Sequence, residues 1–213
     1  MNRSINGLAG LFLCAWLSAF ATAKAESADF QGFQIDMSRL TPQQKVALTP
    51  SYREQIRIIE AAKLPTEMLE FFKTVPIIID PAFSASGTHA LYRRNRDNRK
   101  GQVESDLTPI EPARPVLLHE MLHAYDANFW EFKNPLVLGA YNRAISERLY
   151  SPKVEKSHFL ENAREFFAIA GTIYLVGTIK QDPYDCKMIT AQQPKFVQFL
   201  EDVFGSKPHC RRT

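Results

Sequence analysis

Residues 116–126 read VLLHEMLHAYD, and the rest of the chain is interpreted from this stretch. Residues four apart lie on one face of a helix, so the side chains of His119 and His123 can converge on one ion. Glu120, one step round the helix, then lies close to that ion without binding it. This H-E-x-x-H pattern is typical of zinc hydrolases, in which two imidazoles hold Zn²⁺ and the glutamate takes a proton from the attacking water.

The surroundings of the motif favour a helix that is largely buried. With 5 histidines and 14 glutamates in 213 residues, about one shuffled sequence in a hundred would contain the motif by chance. The neighbouring positions are mostly apolar, as a buried helix requires, and Pro115 suits a first helical position. The alternative is a half-buried helix whose histidines only form hydrogen bonds.

Residues 1–25 have the pattern of a secretory signal peptide. Arg3 supplies positive charge, residues 8–20 form an apolar core, and residues 23–25 (AKA) form an A-x-A cleavage site, with residues 21–23 (ATA) as the rival. The apolar run is short for a membrane span, although an N-terminal anchor helix is the alternative. The pattern predicts a periplasmic or secreted protein.

The remaining chain, residues 26–213, is long enough for one domain with a substantial core. Loss of Arg3 and Lys24 with the signal peptide takes the formal net charge from +3 to +1. A body this close to neutral does not indicate a nucleic-acid partner. Nothing after residue 25 is long and apolar enough to span a membrane, so we expect no stable span after cleavage.

Two cysteines, Cys186 and Cys210, follow the signal peptide. In an oxidising compartment an even pair indicates a disulfide. Neither cysteine belongs to a C-x-x-C pair, which disfavours a metal site. We therefore expect a bridge that closes a loop and ties down the C-terminus.

The apolar periodicity of the mature chain predicts six helices and three strands. The helices are expected at about residues 49–64, 66–74, 115–130, 134–150, 157–176 and 191–204. The strands are expected at about residues 75–80, 89–94 and 101–107, the last two forming a hairpin with a basic tip. Residues 26–40 are polar and irregular, and whether they inhibit a site stays open. Because helices stand before and after a small sheet, the order indicates an α+β fold.

A catalytic zinc ion needs a third protein ligand and an open position. No histidine follows His123 at a zinc-ligand spacing, so a carboxylate is expected. Glu161 and Glu165 are four residues apart and would share one face of the otherwise apolar helix predicted at 157–176. Carboxylates in such surroundings are costly unless they are paired or coordinated. One of the two is therefore expected to bind zinc; the alternative is an exposed stripe that both form.

Asp126 lies on the same helix face as the two histidines, three residues after His123. A carboxylate there can accept the distal N–H of a histidine ligand, which fixes the tautomer of the imidazole. The alternatives are a direct zinc ligand and a charge that caps the helix end.

Two motifs carry a resemblance to a known family. H-E-x-x-H-x-x-D at residues 119–126 and N-x-x-E-F-F-A at residues 162–168 resemble the motifs of zinc peptidases related to the catalytic domain of anthrax lethal factor, a branch of the gluzincin metallopeptidases. The resemblance covers roughly residues 88–170. It implies a mostly helical zincin-like metallopeptidase domain with a small mixed sheet, and it selects Glu165 rather than Glu161 as the third ligand.

The resemblance also implies roles at positions where this chain departs from the family pattern. The family has a tyrosine seven residues before the ligand glutamate, which stabilises the oxyanion; His158 stands there and can donate the same hydrogen bond. The family's acidic residue four positions after that glutamate is Ile169 here. In related gluzincins the strand before the motif helix is a sheet edge that binds extended substrate, which implies that residues 90–93 line the cleft. His89 is expected to be a surface residue.

These expectations describe a zinc-dependent peptidase, periplasmic or secreted, that acts on a peptide or protein substrate. Glu120 is the expected general base and His158 the expected oxyanion donor, and the expected zinc ligands are His119, His123 and Glu165. One alternative is an envelope protein that keeps the zincin fold and binds a partner without catalysis. Another is zinc-dependent hydrolysis of a non-peptide amide.

Overall fold

The computed structural model describes residues 30–85, 87–95, 100–207 and 210, which form a mixed α/β structure around one four-stranded sheet. The strands are β1 (Ile35–Asp36), β2 (Ile77–Ile79), β3 (Ala90–Arg93) and β4 (Gln102–Ser105). The helices are α1 (Pro42–Ala61), α2 (Thr66–Lys73), α3 (Val116–Tyr125), α4 (Pro135–Ser146), α5 (Pro152–Glu155), α6 (Ala163–Val176), α7 (Cys186–Gln192) and α8 (Pro194–Phe204). This composition is consistent with the predicted α+β class. The predicted signal peptide, residues 1–25, lies outside the described residues.

The sheet has the strand order β1-β2-β4-β3, so β3 is an edge strand. β2 pairs in parallel with β1 and with β4, while β3 and β4 form the predicted antiparallel hairpin. The two outer isoleucines of β2, Ile77 and Ile79, are fully buried, which confirms the buried strand predicted at residues 75–80. Residues 96–99 of the predicted basic tip lie outside the described residues.

The segment before α1 is more ordered than predicted. Residues 30–40 contribute β1, and the side chains of Phe30, Phe33 and Ile35 are buried in the core. The prediction of a polar, irregular arm is therefore wrong for these residues. Phe33, Ile35 and Met37 stand at alternate positions of an extended chain, so their side chains point to one face, and all three are buried in the core.

Helix α1 begins at Pro42, seven residues before the predicted start. Thr41 and Gln44 form a capping box: the hydroxyl of Thr41 accepts the backbone N–H of Gln44, whose side chain accepts the N–H of Thr41. The start was predicted at a second Thr-Pro pair, residues 49–50, but Pro50 lies inside the helix. The carbonyl that Pro50 leaves without a donor is that of Val46, an exposed residue, where water can replace the missing bond.

Two other predicted helices end or begin elsewhere. The helix predicted at residues 134–150 ends at Ser146. The helix predicted at residues 191–204 is α8, which begins at Pro194, and the separate helix α7, which ends before Gln193, was not predicted. Pro194 explains the break between the two helices, since a proline is tolerated in a first helical turn and disrupts a helix interior.

Helices α3 and α6 pack against each other in the core. Gly171 permits their close approach, because a Cβ at this position would lie 3.0 Å from Cδ1 of Leu122 on α3. An alanine at 171 would require the Leu122 side chain to shift by a few tenths of an ångström. Within the described residues, no helix is long and apolar enough to cross a membrane.

The sulfur atoms of Cys186 and Cys210 form the predicted disulfide, and both residues are buried. The bridge joins the start of α7 to the chain after α8, 24 residues later. It therefore constrains the last two helices.

We expect that replacing both cysteines by alanine lowers the free energy of unfolding by about 3 kcal/mol, because the unfolded chain regains the freedom of the closed loop. For a chain of this size the melting temperature should fall by roughly 6–12 °C. Thermal unfolding with and without reductant measures the effect. Reductant should lower the melting temperature of the wild type and leave that of the variant unchanged; equal melting temperatures of wild type and variant without reductant would contradict the prediction.

Candidate metal centre

Helix α3 carries the H-E-x-x-H motif, and a π-helical turn at Asp126–Trp130 extends it to the predicted end. Pro115, the predicted first helical residue, occupies the N-cap position instead and makes no side-chain cap. The buried side chain of Gln55, on α1, caps the start of α3 instead. Its Oε1 accepts the N–H of Leu117 at 3.2 Å, and its Nε2 donates to the carbonyl of Arg114 at 3.2 Å. Sequence analysis missed Gln55, although a glutamine beside the apolar residues of α1 was a signal.

Helix α6 begins at Ala163, later than predicted, because Asn162 caps it. The Asn162 side chain accepts the backbone N–H groups of Arg164 at 2.9 Å and Glu165 at 3.1 Å, and its own backbone is extended. The residues before the cap form a 3₁₀ turn at His158–Leu160. The prediction that Glu161 and Glu165 share one face of a helix is therefore wrong, since the extended residue between them separates the two side chains.

The side chains of His119, His123 and Glu165 converge. The two Nε2 atoms are 3.0 Å apart, and Oε2 of Glu165 lies 3.1 Å from Nε2 of His119 and 3.3 Å from Nε2 of His123. The exposed fraction of the three side chains is only 8–15%. Among the described residues they are the one group of three whose donor atoms could hold a metal ion.

The geometry of the cluster fits a zinc ion. Ligand atoms that each lie about 2.0–2.1 Å from a tetrahedral zinc are about 3.3 Å apart. The three separations in the cluster, 3.0, 3.1 and 3.3 Å, are close to that value. Two imidazoles and one carboxylate are also the ligand set of many catalytic zinc sites, in which a fourth position stays open for substrate.

His158 lies beside the cluster, next to Glu165, and is partly exposed to solvent. Its Nε2 is 2.9 Å from Oε2 of Glu165, and the exposed fraction of its side chain is 50%. The hydrogen bond with Glu165 raises the pKa of His158 to about 9. Burial raises the pKa of Glu165, but hydrogen bonds from His119, His123 and His158 outweigh burial and hold that pKa well below its usual range. Glu165 is therefore an ionised ligand candidate.

Glu120 is buried between the cluster and the edge strand. Its Oε2 accepts the backbone N–H of Tyr92, on β3, at 2.6 Å, and its Oε1 lies 4.0 Å from Nε2 of His119. Burial raises the pKa of Glu120 from 4.5 to about 7. A carboxyl group with this pKa can exchange a proton near neutral pH, which suits a general base.

The side chain of Asn128, in the π-helical turn, links α3 to the hairpin. Its Nδ2 lies 3.2 Å from the Tyr92 hydroxyl and 3.2 Å from the carbonyl of Lys100. Gly101 lets the chain turn beside this contact, since its φ is +69° and a Cβ there would lie 2.5 Å from the carbonyl of Arg93. Sequence analysis predicted the hairpin but missed Asn128, because such a contact between distant residues has no local pattern.

No protein-family model, curated protein or solved structure matches this chain. The resemblance to the peptidases related to anthrax lethal factor therefore rests on the two sequence motifs. The spatial arrangement of the site is independent of that resemblance, because it follows from the distances between the side chains.

The other candidate residues lie apart from the cluster. His89 is half exposed and its Nδ1 is 2.9 Å from Asp106, as expected for a surface residue. Glu161 is mostly exposed and contacts His158 rather than the cluster. Ile169 is fully buried on α6.

Asp126 is 98% buried, and its Oδ1 has no hydrogen-bond partner. In the described part of the chain, no hydrogen bond joins its carboxyl group to His119 or His123, so the predicted contact with a histidine is not formed here. Burial raises the pKa of Asp126 from 3.8 to about 6, and the nearby Arg164 guanidinium opposes part of that rise.

Replacing Asp126 by asparagine should stabilise the metal-free protein at neutral pH. The unfolded carboxyl group ionises near pH 4 and the folded one near pH 6, so the wild type loses stability as the pH rises through this window. Below pH 4 the two proteins should be about equally stable. Above pH 6 the variant should be more stable by roughly 3 kcal/mol, since each pKa unit corresponds to about 1.4 kcal/mol.

Urea unfolding between pH 3.5 and 8, with chelator present, measures this difference. Asp202→Asn, at an exposed position of α8, is the control. It keeps Asp126, so its stability should follow that of the wild type across the pH range. An Asp126→Asn protein that is less stable than the wild type at pH 7 would show that the carboxylate has a stabilising partner.

Proposed function

We propose that this chain is a zinc-dependent peptidase. The observation that carries the proposal is the convergence of His119, His123 and Glu165 at zinc-ligand separations, with Glu120 directly beside them. The first three residues would hold the ion. A buried glutamate beside them supports a chemical role, because an ionised carboxylate is costly inside a protein.

Bound zinc would polarise a substrate carbonyl and lower the pKa of a water molecule toward about 7. Glu120 would take the proton of the attacking water and pass it to the leaving amine. The N–H of Tyr92 holds Oε2 of Glu120, which leaves Oε1 nearer the ligand cluster. The base is therefore held in one orientation before substrate arrives.

His158 would stabilise the oxyanion that forms on the carbonyl. It is half exposed beside the cluster, and its Nε2 lies 2.9 Å from Oε2 of Glu165. This donor would turn from Glu165 to the oxyanion as negative charge develops on the substrate, which is the condition for lowering a barrier.

The edge strand β3 would hold the substrate chain. β3 lies against α3 and is an edge strand, so within the described residues no other strand pairs with its outer side. An extended peptide can add to such an edge through backbone hydrogen bonds. The outward N–H of Tyr92 is occupied by Glu120. The N–H and carbonyl of Ala90 contact the Thr88 hydroxyl, so a peptide that added here would have to displace the Thr88 side chain.

Export to the periplasm or the cell exterior fits the same proposal. Residues 1–25 have the pattern of a signal peptide, and the disulfide between Cys186 and Cys210 suits an oxidising compartment.

Metal content and peptide cleavage test the proposal together. We expect about one zinc ion per chain by elemental analysis, and cleavage of a mixed peptide library that stops with chelator and returns when zinc is added. His89→Ala, which changes an exposed histidine outside the cluster, should behave like the wild type. A folded wild type that binds no supplied zinc would refute the proposed peptidase and favour a protein that binds a partner without catalysis. A protein that binds zinc and cleaves non-peptide amides but no peptide would show that the substrate is a non-peptide amide.

A further inference from the structure

Glu161 lies beside His158 because of the local helix type. In a 3₁₀ helix the side chains at i and i+3 eclipse each other, whereas in an α-helix they are offset. Residues 158–160 form a 3₁₀ turn and Glu161 ends it, so the side chains of His158 and Glu161 lie on the same side. The distance between Nδ1 of His158 and Oε2 of Glu161 is 2.5 Å.

The turn that carries this pair is firmly anchored. Phe159 and Leu160, the two residues between the pair, are buried, and the carbonyl of Leu160 accepts the hydroxyl of Tyr141, on α4. The backbone of the turn is thus fixed by the core, while the imidazole can still rotate about its own side-chain bonds. The ring is contacted at both nitrogens, by Glu161 at Nδ1 and by Glu165 at Nε2, so the contact at Nδ1 helps to fix where Nε2 points.

We propose that Glu161 is the positioning residue of His158: its carboxylate accepts the Nδ1–H of the imidazole and so directs Nε2–H into the cleft beside Glu165. The proposal deepens the proposed function and rests on it for the role of His158 in catalysis. An ionised carboxylate only accepts hydrogen bonds, so this contact requires a hydrogen on Nδ1. Glu161 acts through His158 and makes no contact with the metal ligands.

A residue that acts only through His158 should have no effect once His158 is gone. His158→Ala should lower kcat by roughly 100-fold, the typical cost of losing an oxyanion donor. Glu161→Ala should lower kcat by about 10-fold with KM and zinc content unchanged, as for other residues that orient a functional group. The double variant should be no slower than His158→Ala.

Two further variants sharpen the comparison. Glu161→Gln keeps an oxygen that can accept the Nδ1–H, so it should retain most of the wild-type rate. Glu147→Ala is the matched control, since Glu147 is similarly exposed, at 56% against 62% for Glu161, and pairs with Arg143 away from the cleft. It should have wild-type kcat.

The ring nitrogens of His158 provide a readout that needs no activity. In a long-range ¹H–¹⁵N spectrum, the His158 signals are those that vanish in His158→Ala. In the wild type the Nδ1 hydrogen should be hydrogen-bonded to Glu161. In Glu161→Ala the Nδ1 signal should shift because this hydrogen bond is lost, and in Glu161→Gln it should stay close to its wild-type position.

Two results would overturn the inference: an unchanged His158 ring spectrum in Glu161→Ala, or a Glu161→Ala loss in kcat that adds fully to that of His158→Ala. A wild type without zinc and without hydrolysis would instead refute the proposed function. The ring spectrum would then still decide whether Glu161 orients His158.

Discussion

Replacing Glu120 by glutamine is expected to lower the rate of peptide hydrolysis by at least about 100-fold while zinc stays bound. General bases contribute about 10²–10⁴-fold to rates, and a glutamine cannot take a proton. Its amide oxygen can still accept the N–H of Tyr92, the contact that now holds Oε2 of Glu120. The shape of the site should therefore survive and only the proton transfer should be lost.

Turnover of a cleaved peptide and zinc content of the same preparation measure the two effects. Glu111→Gln changes an exposed glutamate that pairs with Lys180 outside the cleft, and it should leave both quantities unchanged. Near-normal hydrolysis by Glu120→Gln would show that another group is the base. Loss of zinc from that variant would show that Glu120 contributes to metal binding.

Replacing Glu165 by alanine is expected to weaken zinc binding by at least about 100-fold, since removal of residues that only orient a ligand already costs 10–100-fold. The variant removes the carboxylate oxygen that contacts both His119 and His123. Glu161→Ala is the matched control, because it removes an acidic side chain four residues earlier that lies outside the cluster.

Competition with a zinc-binding dye measures both affinities. If Glu161→Ala lost zinc and Glu165→Ala kept it, the assignment of the third ligand would be wrong. If both kept zinc at wild-type affinity, the two histidines would need a different third ligand.

The parts of the site that could be predicted from sequence are those that depend on local geometry. His119, Glu120 and His123 lie on one helical segment, and an i, i+4 spacing places two side chains together whatever the rest of the chain does. The hairpin was equally local, since Gly101 permits the turn and strand-like runs flank it. The disulfide followed from having only two cysteines after the predicted signal peptide.

The wrong predictions of the start of α1 and of α6 came from choices between local sequence patterns of similar strength. Thr41 and Thr49 are both followed by proline, and the first of them caps α1. Glu161 and Glu165 have helical spacing, but Asn162 caps α6 between them. In both places a side chain competes for backbone N–H groups, and this competition depends on where the following apolar residues are buried.

By itself, the sequence determined the helix that carries the motif and the hairpin before it, because residues within a few positions of each other carry these features. Only the tertiary structure decided which carboxylate meets the two histidines, that Tyr92 holds Glu120, and that Gln55 begins α3. These contacts join residues 28 to 62 positions apart. Such pairs meet only when α1, β3, α3 and α6 pack together, and packing has no local sequence pattern.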